Sequence, residues 1–94
     1  MDVKIIDYGI DEDKGFVKYK ISDLDLNKLE ILDTNLEEET KLNKEDKYVI
    51  LTMYYKKKFY PFASEESKIK LDDFIAREEI EIEVFISSFL EDFN

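Results

Sequence analysis

Two runs near the start of the chain, Val3 to Ile10 and Phe16 to Ser22, are dense in β-branched and aromatic residues. The polar segment between them, Asp11-Glu12-Asp13-Lys14-Gly15, ends in the glycine that a hairpin loop favours. Together they predict an N-terminal antiparallel hairpin. Beyond it, Ser22 stands three residues before Asp25 and Thr34 three before Glu37. At that spacing a side-chain oxygen and a following acid satisfy the free amides of a helix start. Two short helices are expected. The first carries Leu26, Leu29 and Leu32 along one edge, although Leu29-Glu30-Ile31 suits a strand equally well. The second, running through Glu37-Glu38-Glu39 to Lys47, has only Leu36 and Leu42 to bury and reads as a solvated helix or a loop.

From Tyr48 the residues crowd in the manner of a long central strand. Val49, Leu51, Met53 and Tyr55 would face one way, and Tyr48, Ile50, Thr52, Tyr54, Lys56, Lys58 and Tyr60 the other, until Pro61 removes an amide donor. Ser64-Glu65-Glu66 reads as a turn or helix start, and Lys68-Ile69-Lys70-Leu71 alternates as a short strand does. In the last third, Ile82, Phe85, Ile86, Phe89, Leu90 and Phe93 share one helical face, while Glu79 to Val84 alternates like a strand. One unbroken helix would put Glu79 on the apolar stripe and Ile80 on the polar side. The pattern therefore predicts a short helix over Asp72 to Glu78, a break, and a second helix from about Ile82 to Phe93. The fold class expected is α+β, a small antiparallel sheet made of the N-terminal hairpin plus the central strand, with short helices and a C-terminal amphipathic helix.

Ninety-four residues, 44% of them apolar, suffice for one domain over residues 1–94 and exceed what a disordered acidic tail carries. The longest largely apolar run, Tyr48 to Tyr55, is far short of the roughly 20 residues of a membrane-spanning helix. A chain without cysteine has no disulfide framework, and its start, Met1-Asp2-Val3-Lys4, has neither the basic leader nor the cleavage site of a secretory signal. A cytoplasmic location is expected. Thirteen lysines against the single Arg77 resemble the bias of an AT-rich genome, as in a low-GC bacterium, its phage or a virus.

Charge is unevenly laid down within a formal total of -10. Residues 1–47 hold eight bases and fourteen acids, residues 48–71 five bases and two acids, and residues 72–94 one base and eight acids. A basic, aromatic middle is thus set between acidic flanks. Chemistry is harder to find. Asp23-Leu24-Asp25-Leu26-Asn27 imitates the opening of a calcium loop, but Lys28 stands where glycine is needed and Thr34 where a bidentate glutamate is needed. With neither His nor Cys, the usual zinc ligands and the Ser-His and Cys-His nucleophile pairs cannot be assembled. No cofactor, no metal and no enzymatic activity are expected.

What remains is recognition. Glu37, Glu38 and Glu39, and Glu78, Glu79, Glu81 and Glu83, are the densest acidic clusters and the expected partner contacts. Solubility does not require so large a charge on so small a domain, whereas a basic groove is steered toward and filled by such a surface. In composition the chain is similar to phage-encoded inhibitors of host defence, including nucleic-acid mimics, and to immunity proteins that plug basic nuclease toxins. The expected function is non-enzymatic blocking of a basic surface on a nucleic-acid-binding protein or nuclease complex, in the host cytoplasm if phage-encoded, with no membrane partner. One alternative is a small nucleic-acid-binding regulator using the basic-aromatic strand Tyr54 to Tyr60. Tyr and Phe there offer faces for bases and Lys56 and Lys58 neutralise phosphates, but the net charge disfavours direct binding, and the same lysines could instead guard a strand edge. The other alternative is a homodimer or larger accessory assembly built through Phe85, Phe89 and Phe93.

Overall fold

Alternation of apolar and polar residues in four segments builds one antiparallel sheet, and two helices cover one side of it. The computed structural model describes residues 1–11, 14–56 and 71–93. In chain order the elements are β1 (Asp2–Asp11), β2 (Lys14–Ser22), α1 (Leu26–Asn35), β3 (Glu39–Asn43), β4 (Tyr48–Lys56) and α2 (Leu71–Glu91). The sheet order is β1-β2-β4-β3, and every neighbouring pair is antiparallel. This is the expected α+β class, with the hairpin and central strand in place. Tyr19 sits at its centre, paired with Ile5 on one side and Leu51 on the other.

The core is the helix-side face of that sheet. Val3, Val17, Tyr19, Ile21, Val49 and Leu51 are buried there beneath Leu29 and Leu32 of α1 and Ile82, Ile86 and Leu90 of α2. Helix α1 packs on β3 and β4, and α2 on β1. The expected division of β4 holds, with Val49 and Leu51 buried, Met53 and Tyr55 half-buried, and Tyr54 and Lys56 exposed.

Three local expectations are overturned. The first helix is capped by Asp25, whose carboxylate accepts the Lys28 amide at 2.9 Å. Ser22 is instead the last residue of β2, held opposite Asp2. No second helix starts at Thr34, which lies inside the last turn of α1. The chain pairs along β4 as the short strand β3, with Leu42 set beside Val49 and Thr40 beside Leu51. Two residues on one face can be buried by a strand but not by a helix stripe. Finally, α2 runs unbroken through Glu79 and Ile80.

Glu79 reconciles that helix with its pattern. The register of β1 shifts between Ile5 and Asp7, a β-bulge that leaves Ile6 51% exposed. The Ile5 amide then donates to Glu79 Oε2 at 2.7 Å. A carboxylate on the buried stripe is tolerated because it accepts an edge-strand amide. The price appears on the opposite side of the helix, where Ile80 is 61% exposed.

The proposed continuation of the central strand from Lys57 to Pro61, the turn at Ser64-Glu65-Glu66 and the alternating Lys68-Ile69-Lys70 fall outside the described residues. Among those described, no helix is long and apolar enough to cross a membrane.

Candidate functional site

The sheet face turned away from the helices is the most chemically organised surface of the domain. Strand periodicity sends alternate residues there, and the register sets them in rows. One row reads Lys4, Lys20, Ile50 and Lys41 across β1, β2, β4 and β3. The next reads Asp7, Lys18, Thr52 and Glu39, and beyond it Gly9, Phe16 and Tyr54 stand abreast. Lys14 is paired with Lys56 in the last row. Like charges set opposite one another across strands are a cost that sheets usually avoid. Here it is incurred twice, by Lys4 with Lys20 and by Lys14 with Lys56.

Aromatic rings lie among these lysines. Gly9 makes room for Phe16, since a Cβ at position 9 would fall 2.9 Å from the ring. Lys18 Nζ stands 6.0 Å from the Phe16 ring centre, and Lys20 Nζ 4.7 Å from that of Tyr48, both within range of a cation–π contact. Tyr54 is 55% exposed, and its hydroxyl donates to Glu39 Oε2 at 3.2 Å. Two adjoining depressions run along β3 and β4. One, of 490 Å³, is lined by residues that include Lys41, Asn43, Lys44, Tyr48 and Ile50. The other, of 300 Å³, is lined by Lys18, Glu39, Thr40, Lys41, Ile50 and Thr52.

Charge is sharply divided between this face and the remaining surface. Among residues whose side chains are described, six lysines, Lys4, Lys14, Lys18, Lys20, Lys41 and Lys56, share the sheet face with three acids, Asp2, Asp7 and Glu39. Elsewhere the residues whose side chains are described carry fourteen carboxylates against four cationic side chains. Among the described residues the ion pairs are Met1 with Asp23 and Lys44 with Glu30, so no lysine of the sheet face is engaged in one.

The acidic residues singled out by sequence are spread over several environments. Glu37 and Glu38 are exposed in the connection from α1 to β3, and Glu39 opens β3 on the lysine face. Glu38, Glu78 and Glu81 each act electrostatically on Tyr55. Burial first, then the adjacent Glu81, pushes the Glu78 carboxyl above its ordinary range, and Arg77 pulls it partly back. Burial also raises the Tyr55 phenol, with Glu78, Glu38 and Glu81 adding to the rise and contact with the Tyr19 hydroxyl opposing it. Glu79 is committed to the Ile5 amide, and Glu81 and Glu83 are exposed.

Of the basic-aromatic stretch read as Tyr54 to Tyr60, Tyr54 and Lys56 lie on the candidate face, and residues 57–60 fall outside the described residues. Lys56 is a member of this face, and beyond Thr52 β4 has no partner on the β3 side among the described residues. Phe16, Lys18 and Lys20 escaped sequence reasoning. Their signal was present as the alternation Lys14, Phe16, Lys18, Lys20 along β2, legible once the inward residues Val17, Tyr19 and Ile21 fix which face is which.

No curated protein matches the chain. The model of DUF5750, a family of unknown function, matches residues 2–92, and the chain belongs to that family.

Proposed function

We propose that this domain is a non-enzymatic binding module that holds a single-stranded nucleic acid on the sheet face turned away from the helices. The observation carrying this reading is that one face combines Phe16, Tyr48 and Tyr54 with six lysines that, among the described residues, form no ion pair. Single strands are bound by cationic tracks that follow phosphates and by aromatic faces on which bases stack, each stacked base contributing about 1–3 kcal/mol. The overall charge of -10 is not a decisive objection. The Debye length is about 8 Å at physiological salt, while the domain measures 25 Å along its shortest axis. A phosphate at the sheet face is thus largely screened from carboxylates on the far side of the helices.

The test is fluorescence anisotropy with a labelled single-stranded oligonucleotide over a salt series. Four to six neutralised phosphates give a log–log salt slope of about -3 to -4. Lys18→Glu with Lys20→Glu should abolish binding, and Tyr54→Ala should weaken it about tenfold. Binding that ignores both changes would sink the proposal.

A second reading is favoured by the exposure of Glu37, Glu38, Glu81 and Glu83. In it the acidic helical side occupies a basic groove on a nucleic-acid-handling protein and blocks it, as an inhibitor of a defence system would. Reversal of Glu37, Glu38 and Glu81 to Lys separates the two, because it abolishes that activity and leaves oligonucleotide binding intact. In both readings the domain works in the cytoplasm.

A further inference from the structure

The solvent side of α2 carries an ordered pattern that neither the core nor the sheet face uses. Arg77, Ile80, Val84, Ser87 and Glu91 are spaced by three, four, three and four residues, the repeat that keeps a narrow seam on one side of a helix. All five are exposed, Ile80 and Val84 each to 61%. They lie opposite Ile82, Ile86 and Leu90, which face the sheet. Apolar residues thus occupy the middle of the seam, and charges of opposite sign close its two ends.

We infer that this seam pairs with the same seam on a second copy of the chain, antiparallel about a two-fold axis at Val84. In that register Val84 meets its own copy, Ile80 meets Ser87 and Ser88, and Arg77 meets Glu91. The interface is isologous, so the Arg77–Glu91 contact is made twice. A parallel pairing would instead stack Arg77 on Arg77 and Glu91 on Glu91, which the charges forbid. Within one chain the two ends are about 21 Å apart along the helix, so they cannot satisfy each other. The occupant is therefore chosen by charge complementarity of the seam with itself.

The pairing is weak. Five positions cover much less than the roughly 800 Å² per partner of a stable interface, and Glu83, beside the axis, approaches its own copy. Pairing on this side of α2 leaves the sheet face of each copy outward. A dimer of this kind doubles whatever that face binds, a consequence that rests on the reading above, whereas the dimer itself does not.

Sedimentation of the full chain up to about 1 mM, with circular dichroism to verify folding, tests it. A monomer–dimer equilibrium is expected, and Val84→Glu should eliminate it by placing two carboxylates at the axis. Arg77→Glu and Glu91→Arg should each weaken dimerisation about tenfold, and the double exchange should restore it to within about threefold. Rescue by exchange requires that positions 77 and 91 meet between chains. A concentration-independent monomer, a dimer indifferent to Val84→Glu, or failure of the double exchange to restore association would each overturn the inference. None of these results bears on oligonucleotide binding by the monomer.

Discussion

Replacing Glu79 with Ala removes the carboxylate that receives the Ile5 amide at 2.7 Å, and with it the tie between α2 and the bulged edge strand. A hydrogen bond to a charged acceptor contributes about 1.5–3 kcal/mol, and the amide left behind loses its partner. Both residues are only half-buried, so water recovers part of this. Alanine also has the better helix propensity, by a few tenths of a kcal/mol, and one carboxylate fewer slightly relieves an overcharged surface. The expected net loss is about 1–2 kcal/mol. Glu79→Gln keeps an acceptor oxygen and should lose less than half as much. In urea, with a slope near 1 kcal/mol per molar for so small a domain, the alanine midpoint should fall by about 1–2 M. Hydrogen exchange supplies the local readout, because the Ile5 amide should lose protection in the alanine variant and keep most of it in the glutamine one. An alanine variant as stable as the parent, with Ile5 still protected, would refute the assignment of Glu79 as the structural acceptor on the apolar stripe.

Three other outcomes follow from the same packing. Leu32 is fully buried between α1 and the sheet, so Leu32→Ala should cost about 2–5 kcal/mol in chemical denaturation. Glu78 has a folded-state carboxyl raised above its ordinary value of 4.5 by burial and by Glu81. The folded state therefore holds this proton longer than the unfolded chain, and stability is lost as pH rises from about 4.5 through the folded value; Glu78→Gln should remove that component, seen as a smaller drop in urea midpoint over that window. Gly9→Ala places a methyl where the Phe16 ring lies, 2.9 Å from its edge. The ring, at the end of a rotatable side chain, should swing aside with little change in melting temperature, and new nuclear Overhauser contacts would register its altered position.

The hairpin and the faces of β4 were legible because burial on one face leaves a period of two in the sequence. β3 was not, because five residues offering only Thr40 and Leu42 to the core carry little pattern, and the Thr34 and Glu37 spacing imitates a helix start. The continuity of α2 was hidden by a single exchange of roles, Glu79 inward and Ile80 outward. No local rule anticipates an edge amide at Ile5, 74 positions away in sequence, that makes an inward carboxylate acceptable. The candidate face was half legible. Tyr54 and Lys56 were visible as a contiguous basic-aromatic stretch, whereas Lys4, Lys20 and Lys41 become neighbours only through the strand order β1-β2-β4-β3. The acidic clusters stood out because they are contiguous in sequence, yet folding sends Glu39 to the lysine face and Glu79 to the edge of β1.

The central claim, that the sheet face turned away from the helices binds single-stranded nucleic acid, is tested most directly by titrating isotope-labelled protein with a short oligonucleotide and following amide shifts by NMR at about 50 mM salt. The account predicts progressive shifts at Phe16, Lys18, Lys20, Ile50 and Tyr54, with the solvent face of α2 unmoved. No shifts at that salt, or shifts confined to Glu37, Glu38 and the Glu78 to Glu81 turn of α2, would contradict it.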